Sequence, residues 1–324
     1  MHRLLGMAIA LGLACFAHGV AAETYPSRPI RLISPNPAGG ANDTIVRVIS
    51  AKMSSIIGGS IVVDNRGGAG GKIGADAAAK SAPDGYTLLA ASVSTHSFAP
   101  AVSQKLSYDP VKDFEPISLF ATVQNLLVVS NPTPVKNVQE LIALGKSKPG
   151  YLIAGHAGVG TSQHLGGELF MSMTGVKIQQ VPYRGTTAVL PDLMAGRLNI
   201  FFGNISNVLP LVREGKLRAF GITSRKRSPQ IPELPTMEEL GFSGFDATAW
   251  FGMMAPAGTP QPIVDKINAE TRKFAASPDV RQKLEGLGLQ LVGNSPAEFA
   301  KIVQDEIPAW GTVIRKAGIK AAAE

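Results

Sequence analysis

Short apolar runs alternate with amphipathic segments along this chain, a pattern typical of an α/β protein. The run from Ile30 to Ser34 predicts a strand, and apolar residues spaced by three or four positions between Thr44 and Ile57 predict the helix that follows. The same pattern predicts further strands over 61–64, 86–91, 122–129, 151–154, 178–181, 198–202, 217–223 and 247–255. It predicts further helices over 73–81, 162–174, 188–195, 262–276, 280–287 and 296–316.

Two long apolar segments, near 122–129 and 247–255, enclose a middle block with strands and helices of its own. A chain that enters a second domain and later returns would have this order. A chain of about 300 residues after the leader is also more than one hydrophobic core usually holds. We therefore expect two α/β domains joined by two extended crossover segments, the first formed by 23–123 and 250–324 and the second by 124–249.

The first 22 residues have the features of a secretory leader. Arg3 supplies a positive charge, an apolar and small-residue run extends from Leu4 to Phe16, and Val20-Ala21-Ala22 ends it with small residues. The single cysteine, Cys15, lies inside this segment, and the residues before it do not match a lipid-attachment site. We expect cleavage after Ala22, export, and a mature chain without disulfides.

The charge of the chain narrows the class of partner. The formal charge is +7, of which the leader carries one unit at Arg3, and the pI is near 9.5. The positive residues are scattered and 6% of residues are aromatic, so we expect no nucleic-acid surface. The short cluster Arg225-Lys226-Arg227 is interpreted as a solvated surface turn. A basic exported protein favours acidic small molecules or an anionic membrane surface.

The loop after the first strand, from Pro35 to Asp43, has the composition of an anion site. Glycines and small residues let a backbone come close to a ligand, and the first N–H groups of the next helix point toward that space. A second loop, 154–162, repeats this arrangement, and Thr161 or Ser162 can cap its helix. If both loops line one cleft, two positive helix ends converge on one anion.

Several of these residues also have ordinary structural interpretations. Asp43 is equally compatible with a simple helix cap. The glycine-dense stretch from Gly67 to Gly74 is interpreted as structural, and His96 and His164 as structural hydrogen-bonding groups.

A set of motifs occurs in order along the whole mature chain. It comprises the runs 25–30, 65–74, 82–89, 108–110 with 113–114, 160–162 with 164–170, 181–185, 215–218 and 234–237. These runs resemble those of the Bug-type receptors, the periplasmic solute-binding components of tripartite tricarboxylate transporters.

The resemblance implies a two-lobed protein with the type II periplasmic-receptor fold, which closes on a carboxylated solute. One carboxylate would be held mainly by backbone amides and ordered water between two loops. The implied ligand-binding residues are Pro37, Ala38, Gly39, Gly40, Asn42 and Asp43 in the first loop, Gly158, Val159, Gly160, Thr161 and Ser162 in the second, and Ser92, Tyr183, Gly203 and Asn204 around the rest of the cleft.

The expected partners follow from the same resemblance. They are a small organic acid and the membrane subunits of a tripartite tricarboxylate transporter, and we expect a periplasmic monomer without cofactor or metal. Two positions depart from the family pattern: many relatives have Asp where Gly203 stands, and an aromatic or aliphatic residue where Asn36 stands. A contact from that Asp to a ligand amino or hydroxyl group would then be missing here, and the identity of the acid does not follow.

Two alternatives use the same residues differently. A sensory binding protein would have the same cleft and another partner. A hydrolase would use Ser92 or Ser162 as nucleophile and His96 or His164 as base, but the G-x-S-x-G elbow of such enzymes does not occur. A phosphate-binding P-loop is also not matched, because Arg66 and Ile73 stand where it needs Gly and Ser or Thr.

The leader gives a first testable prediction. Because Val20-Ala21-Ala22 fits a signal-peptidase site, the exported protein should begin at Glu23. Intact-mass spectrometry of periplasmic material measures this directly, and a lipid-modified Cys15 at the amino terminus would contradict it.

Overall fold

The computed structural model describes residues 25–38, 41–103, 105–285 and 288–316. The predicted leader and its cleavage site lie outside the described residues, and so do Gly39 and Gly40 of the first loop. Within the described ranges, no helix is both long and apolar enough to span a lipid bilayer.

The strands and helices alternate as the apolar pattern predicts. The strands are β1 Ile30–Ser34, β2 Ile61–Asn65, β3 Thr87–Ser92, β4 Phe114–Val123, β5 Asn125–Ser130, β6 Ile153–His156, β7 Gln179–Pro182, β8 Ile200–Asn204, β9 Leu217–Ile222, β10 Ala249–Pro256 and β11 Leu289–Leu291. The helices are α1 Ala41–Ile57, α2 Lys72–Ala79, α3 Ala99–Val102, α4 Val138–Ser147, α5 Ser162–Thr174, α6 Thr186–Met194, α7 Ile205–Arg213, α8 Gln261–Ala276, α9 Pro278–Glu285 and α10 Pro296–Lys316. Ala69–Gly71 forms a 3₁₀ turn and Ser94–Phe98 a π-helical turn.

The strands form two sheets with the same plan. The first has the order β11-β4-β10-β3-β1-β2, and the second β7-β6-β8-β5-β9. In the first, β1 is parallel to β2 and β3, while β10 runs antiparallel between β3 and β4. In the second, β6 is parallel to β7 and β8, while β5 runs antiparallel between β8 and β9. Strands β5 and β10 are each the first strand after the chain crosses from the other sheet, and β11 adds an antiparallel edge beside β4. This arrangement confirms the predicted two-lobed type II fold.

The chain crosses between the two sheets twice, once through a short connection and once through a long one. Gln124 alone separates β4 from β5, and residues 223–248 separate β9 from β10. The chain changes from one sheet to the other within or next to the two extended segments expected from the sequence. The domain bounds at 123/124 and 249/250 stay a prediction.

Three details differ from the sequence-based expectations. The segment 122–129, expected as one strand, belongs to two, because β4 pairs in the first sheet and β5 in the second. Residues 94–98, for which the apolar pattern predicts no helix or strand, form the π-helical turn, in which Thr95 and His96 are buried. The helices α3, α4 and α7 and the strand β11 were not predicted. Asn137 caps α4 by accepting the N–H of Glu140 at 2.8 Å.

The hydrophobic core consists of two clusters, and both extend through both sheets. One contains Ile30 and Phe251 from the first sheet together with Val128 and Phe201 from the second. The other contains Ile33, Phe299, Leu127 and Phe202. Because each cluster spans the two lobes at β4 and β5, burial of apolar surface stabilises the lobes and their junction together.

Gly252 of β10 lies against the ring of Phe299 on α10. A Cβ at this position would lie far inside van der Waals contact with Phe299 Cζ. The absence of a side chain at Gly252 therefore lets helix α10 pack closely on the first sheet.

We predict that Gly252→Ala lowers the free energy of unfolding by about 1–3 kcal/mol, because the added methyl overpacks the core. Phe299→Leu shortens the opposing side chain. The double variant should therefore lose less than the sum of the two single losses, as measured by urea denaturation. Additive losses would show that the cost at Gly252 does not arise from the Phe299 ring.

Candidate functional site

The carboxyl ends of the parallel strands in the two sheets lead into loops that meet. After β2, the glycine-rich stretch carries Gly70, with φ near 68°. After β6, the chain forms the loop that precedes α5, and a Cβ at Gly70 would lie 3.0 Å from the carbonyl oxygen of Val159 in it. Ligands of open α/β sheets bind outside these strand ends, so this contact marks the cleft between the lobes.

A cavity of about 330 Å³ lies where the loops meet. Its lining consists of Ala69, Gly70, Lys72, Ser94, Ala99, Ser103, Val159 and Gly160. Most of these residues are small or apolar, and Lys72 is the cation among them. Its ammonium donates a hydrogen bond to Ser103 Oγ at 3.4 Å. The size and lining of the cavity are suited to a small solute with an apolar part.

Hydrogen bonds within the loop before α5 engage several of its backbone donors. The N–H of Ala157 donates to Gln163 Oε1 at 3.2 Å, and that of Thr161 to the carbonyl oxygen of Gly158 at 3.3 Å. The hydroxyl of Thr161 caps α5 by accepting the N–H of His164. Positive φ angles of 130° at Gly158 and 79° at Gly160 shape the loop, and other residues rarely adopt them.

Two buried histidines accept further loop donors. The N–H of Gly158 donates to His156 Nδ1 at 3.2 Å, and the N–H of Gly160 to His164 Nδ1 at 3.3 Å. The two rings lie against each other, with centroids 4.5 Å apart. His96 and His164 were both predicted as structural hydrogen-bonding groups, and both are buried and hydrogen-bonded.

Burial keeps these histidines neutral. It lowers the pKa of His164 to about 3, with a smaller contribution from the neighbouring His156, whose pKa burial also lowers. A neutral imidazole has one acceptor nitrogen, whereas a protonated one has none. The hydrogen bonds to Gly158 and Gly160 therefore require the neutral rings.

Three backbone donors at the start of α5 remain for a ligand. Within the described part of the chain, no protein acceptor pairs with the N–H of Val159, Ser162 or Gln163. Ser162 and Gln163 occupy the first turn of a 13-residue helix, where the macrodipole favours negative charge. This group of donors is suited to an oxyanion such as a carboxylate.

Of the first loop, the structure describes residues 35–38 and the start of α1. Pro37 and Ala38 are exposed, and Asn42 lies in the first turn of α1. The loop packs against the glycine-rich stretch, because a Cβ at Gly67 would lie 2.8 Å from Pro37 N and one at Gly74 2.8 Å from Pro35 Cα.

Asp43 takes part in a polar network that joins α1 to the end of β2. Asp43 is 3% exposed, and its Oδ2 accepts from Arg47 Nε at 2.9 Å. Asn65 donates from Nδ2 to Asp43 Oδ1 at 2.7 Å and to the carbonyl oxygen of Asn36 at 3.1 Å. Both carboxylate oxygens thus have protein donors, which supports the structural interpretation, and a ligand contact by Asp43 stays a prediction.

Ser92 ends β3 and is buried beside the π-helical turn. Its N–H donates to Thr95 Oγ1 at 3.1 Å, and the same oxygen lies 2.8 Å from His96 Nδ1. His96 is therefore paired with Thr95. Among the described residues, no hydrogen bond joins the hydroxyl of Ser92 or Ser162 to a histidine ring, which is the contact that the nucleophile and base of a hydrolase would share.

The remaining predicted site residues lie at the carboxyl end of the second sheet. Asn204 ends β8 and its Oδ1 accepts from Gln163 Nε2 at 2.7 Å, while Gln163 also donates to Thr186. The hydroxyl of Tyr183 donates to Asp192 Oδ2 at 2.7 Å. A Cβ at Gly203 would lie 2.5 Å from both Phe201 Cε1 and Val208 Cγ1, so a side chain at this position has no room here. Ligand contacts by these residues stay predictions.

Sequence reasoning missed part of the cavity wall. Val159 and Gly160 were predicted site residues, but Ala69, Gly70, Lys72, Ser94, Ala99 and Ser103 were not. The glycines from Gly67 to Gly74 do pack structurally, and the same stretch also presents Lys72 to the cavity. The signal that could have identified Lys72 is its place in the sequence, as a single lysine at the start of a helix that follows four glycines.

We predict a pH effect on stability from His164. The unfolded chain protonates its histidines below the ordinary pKa of 6.5, whereas folded His164 stays neutral down to about pH 3. The unfolded state thus binds more protons in this window, and the free energy of unfolding falls as pH falls from 7.5 to 5.5, by about 1.4 kcal/mol for one such histidine.

His164→Asn keeps an acceptor for the Gly160 N–H and removes the titration. Its loss of stability over the same range should be smaller than that of the native protein by about 1.4 kcal/mol, measured by urea denaturation at both pH values. Equal losses in the two proteins would mean that folded His164 titrates normally.

The comparisons with known proteins agree with this geometry. A family model described as tripartite tricarboxylate transporter family receptor matches residues 45–319. Protein BugT of Bordetella pertussis is 37% identical over 322 residues, covering 99% of each chain. A protein of Pseudomonas sp. strain P51, from the tcbD-tcbE intergenic region, is 39% identical and covers 90% of this chain and 87% of its own length.

Solved structures give the same result. Rpa4515 of R. palustris, determined with adipate, superposes with a TM-score of 0.85 at 37% identity, covering 91% of this chain and 99% of its own. MatC of Rhodopseudomonas palustris, with bound malate, superposes with a TM-score of 0.82 at 36% identity, covering 90% and 100%. This chain therefore belongs to the receptors of the tripartite tricarboxylate transporter family, of the Bug type.

Proposed function

We propose that this protein is a periplasmic receptor that binds a small organic acid in the cleft between its lobes and delivers it to the membrane subunits of a tripartite tricarboxylate transporter. One observation carries the proposal. The N–H groups of Val159, Ser162 and Gln163 have no protein acceptor within the described residues, and their loop lines the cavity. The similar proteins solved with adipate and malate support a carboxylate as the ligand class.

The carboxylate would accept hydrogen bonds at the start of α5. Backbone donors in a water-poor cleft need no reorientation, and the helix end adds a favourable positive potential. The first loop, Pro37 to Asp43, would approach the same ligand from the other lobe. Ser92, Tyr183, Gly203 and Asn204 would line its outer part, and Gln163 would hold Asn204 in place.

The binding step would be coupled to a hinge at the two crossovers, and no covalent chemistry is involved. Gln124 donates from Nε2 to Ser224 Oγ at 2.7 Å, and Asn125 donates from Nδ2 to the carbonyl oxygen of Ala247 at 2.9 Å. These hydrogen bonds join the two crossovers side by side. Rotation of the domain 124–249 about this pair would open and close the cleft.

Closure would depend on the ligand. A ligand shifts the open–closed equilibrium only to the extent that it binds the closed form more tightly. A carboxylate that contacts the α5 end and the opposite lobe at once meets this requirement. The contact of Gly70 with Val159 indicates how closely the two walls approach each other.

The N–H groups of Val159, Ser162 and Gln163 are called the amide site below. Ser162→Pro tests whether this site binds the ligand. Proline lacks the N–H but is well tolerated at the first position of a helix, and Thr161 before it already has the extended conformation that proline requires. A thermal-shift panel of carboxylates that includes adipate and malate first identifies which acids bind the native protein. We predict that Ser162→Pro loses at least tenfold in affinity for those acids, as measured by calorimetry.

Ser162→Ala is the matched control, because it removes the hydroxyl and keeps the N–H. It should bind within about threefold of the native protein. Both variants should show unchanged circular dichroism. Equal affinity of Ser162→Pro and Ser162→Ala would contradict the amide site.

A further inference from the structure

We propose that Glu306 is a positioning residue for the cleft. From helix α10 it holds the π-helical turn Ser94–Phe98 in the shape that forms part of the cavity wall. The inference rests on the proposed carboxylate-binding function. It concerns a residue that belongs neither to the cavity lining nor to the amide site.

The π-helical turn contributes to the cavity wall at both of its ends. Ser94 is its first residue, and Ala99 is the first residue of α3, which follows the turn directly. Both of these residues line the cavity. A π-helical backbone is rare in proteins and occurs frequently at functional sites. The shape of this wall therefore depends on the contacts that hold the turn.

Helix α10 contacts the turn at two neighbouring residues. Oε2 of Glu306 accepts a hydrogen bond from Ser97 Oγ at 2.5 Å. The ring of Trp310 lies edge-on against that of Phe98, with centroids 4.5 Å apart. Glu306 and Trp310 are four positions apart, so they lie on the same face of the helix. This face of α10 supports the turn through one polar and one aromatic contact.

The same carboxylate oxygen also connects the turn to the first sheet. Trp250 of β10 donates from Nε1 to Glu306 Oε2 at 2.8 Å. Ser97 and Trp250 are both buried, and Glu306 accepts from both of them. Without this acceptor two buried donors would lose their partner, and a buried donor left unpaired is costly. The turn would then rearrange to find other acceptors, and its ends in the cavity wall would shift.

The role requires an acceptor at this position and does not require a charge. Burial raises the pKa of the Glu306 carboxyl, and the hydrogen bonds from Ser97 and Trp250 oppose this rise. A neutral amide oxygen has two lone pairs and can accept from both donors. Glu306→Gln should therefore preserve the turn, whereas Glu306→Leu should not.

Calorimetry with the acids that the thermal-shift panel identifies, beginning with adipate and malate, tests the positioning role. Glu306→Leu keeps a side chain of similar size and removes the acceptor, and it should lose at least tenfold in affinity. Glu306→Gln should bind within about threefold of the native protein. Equal losses in the two variants would contradict the role of Glu306 as an acceptor.

A double-mutant cycle tests whether Glu306 acts through the turn. Ser97→Ala removes the hydroxyl that donates to Glu306, and it should weaken binding by about threefold or more. The double variant should bind no more weakly than Glu306→Leu alone, because both changes break the same contact. Losses that multiply would show that the two residues act independently, which would overturn the proposal.

Asn268→Leu is the matched control for lost stability. It removes another buried polar contact of the first lobe, in which Asn268 Nδ2 donates to the carbonyl oxygens of Ile117 and Asn294, each at 2.8 Å. This variant should melt at a lower temperature than the native protein and still bind within about threefold of it. A loss of affinity as large as that of Glu306→Leu would show that the effect is one of stability alone.

The outcomes separate this proposal from the proposed function. Unchanged affinity in Glu306→Leu would overturn the positioning role and leave the carboxylate receptor standing. If Glu306→Leu does not fold, Ser97→Ala decides, and unchanged affinity in that variant overturns the positioning role. Binding of no acid of the panel by the native protein would contradict the receptor function and the positioning role together. Circular dichroism of every variant shows whether it is folded.

Discussion

The hydrogen bonds from Gly158 and Gly160 to the neutral rings of His156 and His164 decide which donors the cleft offers. A loop of small residues before a helix has many N–H groups and few side chains with which to order them. By engaging two of these groups, the buried imidazoles fix the loop and leave Val159, Ser162 and Gln163 as donors. Burial is essential here, because it lowers the pKa of His164 to about 3 and so preserves its acceptor nitrogen.

The two lobes depend on a second polar arrangement at the crossovers. Apolar packing is continuous through β4 and β5, and it resists separation of the two sheets. The buried hydrogen bonds of Gln124 and Asn125 hold the crossovers beside each other with little side-chain volume. A buried hydrogen bond is directional and so fixes the position of one segment relative to the other, whereas apolar contacts mainly resist separation. This combination is suited to a hinge that bends without coming apart.

The alternation of apolar runs was sufficient to predict the fold class, since strands followed by amphipathic segments bury their faces in only a few ways. The strand β1 and the helices α5 and α10 lie where the apolar periodicity places them. The π-helical turn at Ser94–Phe98 was not predictable in this way, because it is held by hydrogen bonds to distant residues. Tyr108 donates to the carbonyl oxygen of Thr95, and Ser97 donates to Glu306. For α4, the capping pair Asn137 and Glu140 was a local signal that apolar periodicity alone does not use.

The candidate site was only partly predictable for a related reason. The amino-acid composition identified the loop of Val159 and Gly160, because glycines just before a capped helix indicate a loop whose backbone can come close to a ligand. It could not show that His156 and His164 would use some of the loop donors, since that depends on which way a buried ring faces. Nor could it bring Lys72 to the same cavity, because residues 72 and 159 come together only when the two sheets are assembled.

The glycine-rich stretch combines packing within the first lobe and contact with the second in a few residues. Gly67 and Gly74 allow it to lie on the first loop, Gly70 brings it against Val159 of the other lobe, and Lys72 carries its charge into the cavity. A carboxylate held by the amides near Val159 and contacted at the same time by the first lobe would gain those second contacts only in the closed form. Such a ligand would shift the receptor toward closure, because only a ligand with different affinities for the two forms can shift their equilibrium.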